Sequence, residues 1–135
     1  ESAFYPASAG AITPPIPGAI TPPRDTWKTC MLVGQGYVEQ LNGRNERWAI
    51  VARSALVRAS KELGSYYWRL GHNAPDWASP FANAACIYRA ACGALLHPEA
   101  AKKNGLTAPM VTVVVCILQG CAQQIEELEA TIRRN

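Results

Sequence analysis

Two histidines are the residues with the clearest capacity for acid–base chemistry, and both lie at predicted helix ends. His72 stands four residues before Asp76 in a turn-rich loop, and His97 directly precedes Pro98. A His–Asp pair can transfer a proton, but catalysis also needs a nucleophile or substrate group that converges on it. No activated nucleophile lies nearby in sequence. We therefore expect surface or helix-dipole roles for the histidines, and a protein that is not an enzyme.

Five cysteines supply the other reactive groups: Cys30, Cys86, Cys92, Cys116 and Cys121. None has Cys-x-x-Cys spacing, and no His-x-x-x-His or Glu-x-x-His pattern accompanies them, so the sequence predicts neither a metal site nor a cofactor. Four lie in apolar runs, where a free thiol packs as a small hydrophobe. We expect buried free thiols and a reducing location, cytoplasmic or inside an assembled particle, rather than a disulfide framework.

A row of cations offers binding chemistry instead. Residues 43–71 include six basic and two acidic residues, and five of the cations gather on one side of a helical wheel: Arg44, Arg47, Arg58, Lys61 and Arg69. Such a row can follow a phosphate backbone. It can equally be a solvated face, or pair with a neighbour's carboxylates such as those of Glu126, Glu127 and Glu129. No helix-turn-helix or RNA-binding pattern accompanies the row of cations. Nucleic-acid binding is therefore the alternative function and not the favoured one.

The first 24 residues differ in composition from the rest. They hold six of the ten prolines, and Gly-Ala-Ile-Thr-Pro-Pro occurs at residues 10–15 and again at 18–23. Proline fixes φ and donates no backbone hydrogen bond, which predicts an extended, polyproline-like arm. A disordered tail or spacer is one interpretation. We favour a docking arm that inserts equivalent groups into neighbouring subunits, namely Ile12, Pro14, Pro15, Ile20, Pro22 and Pro23.

The remaining residues, 25–135, are predicted to form one helical domain. The longest helix spans residues 43–71, and others are expected at about 25–41, from Ser79 to about His97, and from Thr107 or Ala108 to about Arg133. The β-branched run 111–117 could instead be a strand, but helical periodicity continues beyond it and no second strand exists for pairing. The predicted fold class is all-α, a four-helix bundle-like domain with an extended Pro-rich N-terminal arm.

Apolar stripes predict which face of each helix is buried. They are Trp27, Met31, Gly34, Val38 and Leu41 in the first helix; Trp48, Ala52, Ala55, Leu56, Ala59, Leu63, Tyr66, Tyr67 and Leu70 in the second; Phe81, Ala84, Ala85, Tyr88, Cys92, Leu95 and Leu96 in the third; and Val114, Leu118, Cys121, Ile125, Leu128 and Ile132 in the last. Trp68 falls off its stripe and Trp77 lies in a loop, so both are candidate interface residues. The alternative is that the aromatic residues around Gly71 form a second small core under the loop.

Composition favours a protein with partners. Only 17% of the residues are charged and the net charge is +3, and a surface poor in charge is often covered by another protein. No secretory signal and no apolar run of about 18 residues is visible, so no membrane span is expected. Because the chain starts with Glu1, whether a leader precedes it stays open.

These observations predict a non-enzymatic structural or adaptor subunit of a larger assembly. Its partners would be copies of itself and neighbouring assembly proteins, held through the arm and the apolar helix faces. Small helical proteins with extended arms are common in virus particles, so a virion is one such assembly.

Overall fold

A computed structural model describes residues 24–70 and 80–134, and all regular structure in them is helical. The helices are α1 (Arg24–Gln40), α2 (Arg47–Leu70), α3 (Pro80–Leu96), α4 (Pro98–Lys103) and α5 (Ala108–Arg134). The all-α class is therefore confirmed, and the β-branched run lies inside α5. Of the predicted arm, only Arg24 is described, and it is the first residue of α1; both Gly-Ala-Ile-Thr-Pro-Pro repeats lie outside the described residues.

The turn between α1 and α2 delays the start of the second helix. Gly43 has φ +86°, a left-handed conformation that cannot continue a helix, and α2 begins four residues later at Arg47. The Arg53 guanidinium, one helical turn and a half into α2, donates hydrogen bonds to the backbone carbonyls of Leu41 and Arg44, the latter at 2.8 Å. Arg53 thus ties α2 to the turn that precedes it.

The buried faces of α2, α3 and α5 largely match the predicted stripes. Leu56 and Leu63 of α2, Tyr88 of α3 and Leu118 and Ile125 of α5 are fully buried and form the centre of the core. α3 packs most extensively along α5, and α1 along α2. The prediction for Leu96 was wrong: its side chain is 60% exposed, because it is the last residue of α3, where the chain turns away from the core toward α4.

The stripe of α1 is rotated from the predicted one. Trp27 and Met31, which belong to the predicted stripe, are only partly buried, whereas Cys30 and Tyr37, which lie outside it, are buried. Val38 is also only partly buried. The reason is that α1 contacts α2, α3 and α5 together, so its innermost line points between them rather than toward α2 alone.

Two polar contacts hold the α3–α5 pair in register. Arg89 of α3 donates two hydrogen bonds to the Glu126 carboxylate of α5, at 2.5 and 2.8 Å. The Cys92 thiol lies 3.7 Å from the Val115 carbonyl oxygen. Because both sides of the ion pair are more than two-fifths exposed, it aligns the helices more than it stabilises them.

Candidate interaction surfaces

Trp68 lies almost entirely in solvent. It is the most exposed large apolar side chain among the described residues, at 88%, although Tyr67 beside it is buried against Trp27. The Trp27 and Tyr67 rings stack with their centroids 6.3 Å apart and their planes 12° from parallel. Burial of Tyr67 fixes the rotation of the last turns of α2, so that the next residue, Trp68, points away from the core. The predicted exposure of Trp68 is confirmed, while its role in an interface stays a prediction.

A shallow depression of about 710 Å³ lies beside Trp68, between the outer faces of α1 and α2. We call it the Trp68 depression, and it is lined by Met31 of α1 and by Ser60, Lys61, Gly64, Ser65, Trp68 and Arg69 of α2. A Cβ atom added at Gly64 would meet nothing within 4 Å, so the floor is open there. Its lining combines the apolar side chains of Met31 and Trp68 with small, polar and cationic residues, and no carboxylate lines it.

The basic residues predicted as one face divide between two surfaces. Lys61 and Arg69 line the Trp68 depression, whereas Arg47 and Arg58 line a second groove on the α3 side of the same helix. All four are exposed, and their directions on a helical wheel span about 80°. Arg53, the fifth cation of this helix, points away from them and closes the α1–α2 turn.

Arg44 does not belong to the helical face. It precedes α2, pairs with the Glu46 carboxylate, and places its guanidinium carbon 5.2 Å from the centroid of the Trp48 ring. The Arg44 hydrogen bond holds the pKa of Glu46 below its ordinary value. The predicted contribution of Arg44 to the row was therefore wrong, because the row assumed a helix that begins before Arg47.

The second groove was not foreseen from the sequence. It has a volume of about 510 Å³ and runs between α2 and α3 down to α4. Its walls combine Arg47, Arg58 and Glu62 with alanines, among them Ala90, Ala91 and Ala94 of α3. Arg47 also packs over the α4–α5 turn, since a Cβ atom at Gly105 would lie 3.3 Å from its Nε. The sequence feature that could have indicated this groove is the cluster of alanines in α3, but alanine is common in any helix.

The thiols divide into buried and exposed groups. Cys30, Cys92 and Cys121 are buried as expected, but Cys86 is exposed and Cys116 is partly exposed. Burial raises the pKa of Cys30 to about 12 and that of Cys92 to about 11, and it raises the pKa of Cys121 as well. A thiol with so high a pKa is protonated at neutral pH and is a poor nucleophile.

Nothing in the described ranges gathers ligands for a metal ion. No group of three or more His, Cys, Asp or Glu side chains is found within residues 24–70 and 80–134. His97 is exposed at the start of α4, where its carbonyl accepts a hydrogen bond from the Ala101 N–H at 3.0 Å. His72, Asp76, Trp77 and the arm residues Ile12, Pro14, Pro15, Ile20, Pro22 and Pro23 all lie outside the described residues.

α5 has a property that the sequence analysis did not anticipate. Its segment Ala108–Ile132 is long and apolar enough to cross a membrane by length and composition, with a mean hydropathy of 1.5 in its most apolar window. A third of that window is buried inside the structure, and a soluble protein's core helix meets the same criteria. The helix packs along α3, and two thirds of the window lies outside the core.

No family model, curated protein or solved structure matches this chain.

Proposed function

We propose that this protein is a non-enzymatic structural or adaptor subunit of a larger assembly. Four of its helices, α1, α2, α3 and α5, would form a four-helix bundle, and residues 1–23 an extended docking arm. Neighbouring subunits, copies of this chain and other assembly proteins, would be held through the arm and through exposed apolar positions. A virus particle is one assembly of this kind.

The observation that supports this proposal is the exposed Trp68 beside an open depression. Tryptophan side chains are enriched among residues that dominate binding energy at interfaces, and leaving one in water forfeits the burial of a large apolar ring. Leu32, the residue after Met31, is also more than half exposed on α1.

Removal of the arm tests the proposal. A chain lacking residues 1–23 should keep the helical circular dichroism and cooperative unfolding of the intact chain, because the core residues all lie in the helices. Its self-association in sedimentation experiments should weaken strongly. If the shortened chain assembles as well as the intact one, the arm is not a docking element and the proposal fails.

A nucleic-acid-binding function is the second candidate, and the exposed cations favour it. The ion pairs seen in the described residues, Arg44–Glu46 and Arg89–Glu126, leave out Arg47, Arg58, Lys61 and Arg69. Binding of this kind should weaken linearly with the logarithm of salt concentration. Fluorescence anisotropy of a labelled RNA or DNA strand would measure it; Arg58→Glu should lower the affinity, and Arg89→Gln, on another helix, serves as the control.

A further inference from the structure

We infer that the Trp68 depression is the docking site for the Ala-Ile-Thr-Pro-Pro repeat of a second copy of this chain. This inference deepens the proposed function and depends on it, since it names the receptor for the arm. It is carried by the shape of the depression, by its hydrogen-bonding chemistry and by the place where the arm joins the body.

The shape suits an extended segment with an isoleucine and two prolines. Met31 and Trp68 provide an apolar wall on each side, and Ser60 and Gly64 lie between them on α2. Residues four apart on a helix lie on one line, so Ser60, Gly64 and Trp68 make a continuous track. The absence of a side chain at Gly64 leaves room for a chain to lie along this track. Aromatic-walled grooves are the usual receptors of polyproline segments.

The hydrogen-bond donors that line the Trp68 depression are complementary to the carbonyl acceptors of a proline-rich segment. A polyproline helix has no internal hydrogen bonds, and its prolines leave carbonyl acceptors without matching N–H donors. The depression presents donors: the Trp68 indole N–H, the Lys61 ammonium, the Arg69 guanidinium and the hydroxyls of Ser60 and Ser65. No carboxylate lines the site to compete for these donors, and residues 1–23 contain no basic residue that the two cations would repel.

The position of α1 brings the arm to the correct end of the body. α1 begins at Arg24, and Trp27, one turn later, stacks on Tyr67, the residue before Trp68. The arm therefore joins the body at the end where the depression lies. Pro22 and Pro23 immediately precede α1, and two successive prolines resist the reversal that would let Ile20 reach the depression of its own chain. A second copy presents the same site without that reversal.

The α2–α3 groove is the less suitable receptor. Its walls contain alanines, Ile50 and Leu95 but no aromatic residue, and the Glu62 carboxylate would face the unpaired carbonyls of a polyproline segment. The two surfaces lie on opposite sides of the exposed ridge of α2, so they can be altered separately.

The test uses full-length chains with changes on either side of the contact. A receptor variant combines Trp68→Ala with Gly64→Leu, which removes one wall and fills the floor. Both positions are open to solvent, so its fold should be intact, and circular dichroism verifies this. An arm variant combines Ile12→Asp with Ile20→Asp. Gln119→Ala, at an exposed polar position of α5 that lines neither surface, is the control.

Sedimentation velocity over a wide concentration range should show self-association of the wild type and of the Gln119→Ala control. The receptor variant and the arm variant, each alone, should associate at least about tenfold more weakly. Mixed together, the two variants should form complexes that contain both chains, since one supplies an intact arm and the other an intact depression. A mass tag on one variant identifies the mixed species.

Other sedimentation results would overturn either the docking site alone or the docking arm as well. Wild-type-like association of the receptor variant, with loss in the arm variant, overturns the assignment of the Trp68 depression and leaves the proposed function standing. Failure of the mixture to associate also overturns the assignment. A wild type that stays monomeric, or an arm variant that associates like the wild type, overturns both the docking site and the proposed arm.

Discussion

Gly34 of α1 lies directly against the phenol of Tyr88 in α3. A Cβ atom built at Gly34 would stand 2.2 Å from Tyr88 Oη and 3.0 Å from Tyr88 Cζ, distances that non-bonded atoms do not adopt. Tyr88 is fully buried, so its ring has no open space into which it could move. Its hydroxyl lies near Ser60 of α2, yet no well-formed hydrogen bond joins it to the described residues. The missing side chain at Gly34 therefore sets the distance at which α1 and α3 pack.

Gly34→Ala should destabilise the protein although alanine is the better helix former. We expect a loss of about 1–3 kcal/mol in the free energy of unfolding, because overpacking outweighs a propensity gain of up to about 1 kcal/mol. Tyr88→Phe removes the atom that clashes most, so Gly34→Ala should cost less in that background. Urea unfolding of the four chains of this double-mutant cycle measures the coupling, and strict additivity would contradict the contact.

Arg53 and Arg58 have the same charge on the same helix. The Arg53 guanidinium donates hydrogen bonds to the α1–α2 turn, whereas the Arg58 side chain is exposed beside the α2–α3 groove. Arg53→Met removes hydrogen bonds to the carbonyls of Leu41 and Arg44 and should lower the free energy of unfolding by about 1–3 kcal/mol. Arg58→Met, at an exposed position, should change it by less than about 0.5 kcal/mol. Chemical denaturation compares them, and equal losses would show that the α1–α2 turn does not depend on Arg53.

The buried thiols predict a loss of stability at alkaline pH. An unfolded thiol ionises near its ordinary pKa of 9.0, whereas folding raises the pKa of Cys30 to about 12 and that of Cys92 to about 11. The unfolded state therefore loses these protons first as pH rises. The resulting loss in the free energy of unfolding is negligible below about pH 8 and reaches on the order of 1 kcal/mol per thiol near pH 10.

Cysteine variants separate this effect from the ionisation of tyrosine. Cys30→Ala should reduce the decline in stability between neutral pH and about pH 10, as measured by urea unfolding at each pH. Cys86→Ala, at an exposed thiol, should retain the decline of the wild type. A Cys30→Ala protein with an unchanged pH profile would mean that this thiol is accessible to water.

Two adjacent aromatic residues should differ sharply in their contribution to stability. Tyr67→Ala removes a buried ring stacked on Trp27 and should cost about 3 kcal/mol or more. Trp68→Ala should leave the free energy of unfolding within about 0.5 kcal/mol of the wild type, because the ring is in solvent. Thermal and urea unfolding provide the comparison. The opposite order would place Trp68 in the core and remove the depression described here.

The sequence predicted helices well wherever one apolar period persisted. Ile125 and Leu128 continue the period that starts in the β-branched part of α5, so helix was the correct choice there. The predicted stripe of α1 included Trp27 and Met31, which are only partly buried, and left out Thr26 and Thr29, which are buried. Threonine reads as polar in sequence, but its hydroxyl can bond to the carbonyl one turn earlier and enter a core.

The surfaces were harder to foresee than the helices. The exposure of Trp68 follows from its angle to Tyr67 on α2, and that angle is available from sequence. The walls of the depression depend on which side of α1 faces α2, and the second groove depends on the separation of α2 from α3. Arg44 was misassigned for a local reason: the left-handed Gly43 postpones α2 until Arg47.

The native mass of the intact chain in solution shows whether the arm of one copy docks on another. Sedimentation equilibrium of the full 135-residue chain should give a mass that rises with concentration above the 14.6 kDa of one copy. The same measurement on the Ile12→Asp, Ile20→Asp variant should stay close to the mass of one copy. A wild-type chain that remains at 14.6 kDa at every concentration would contradict an arm that docks on a second copy.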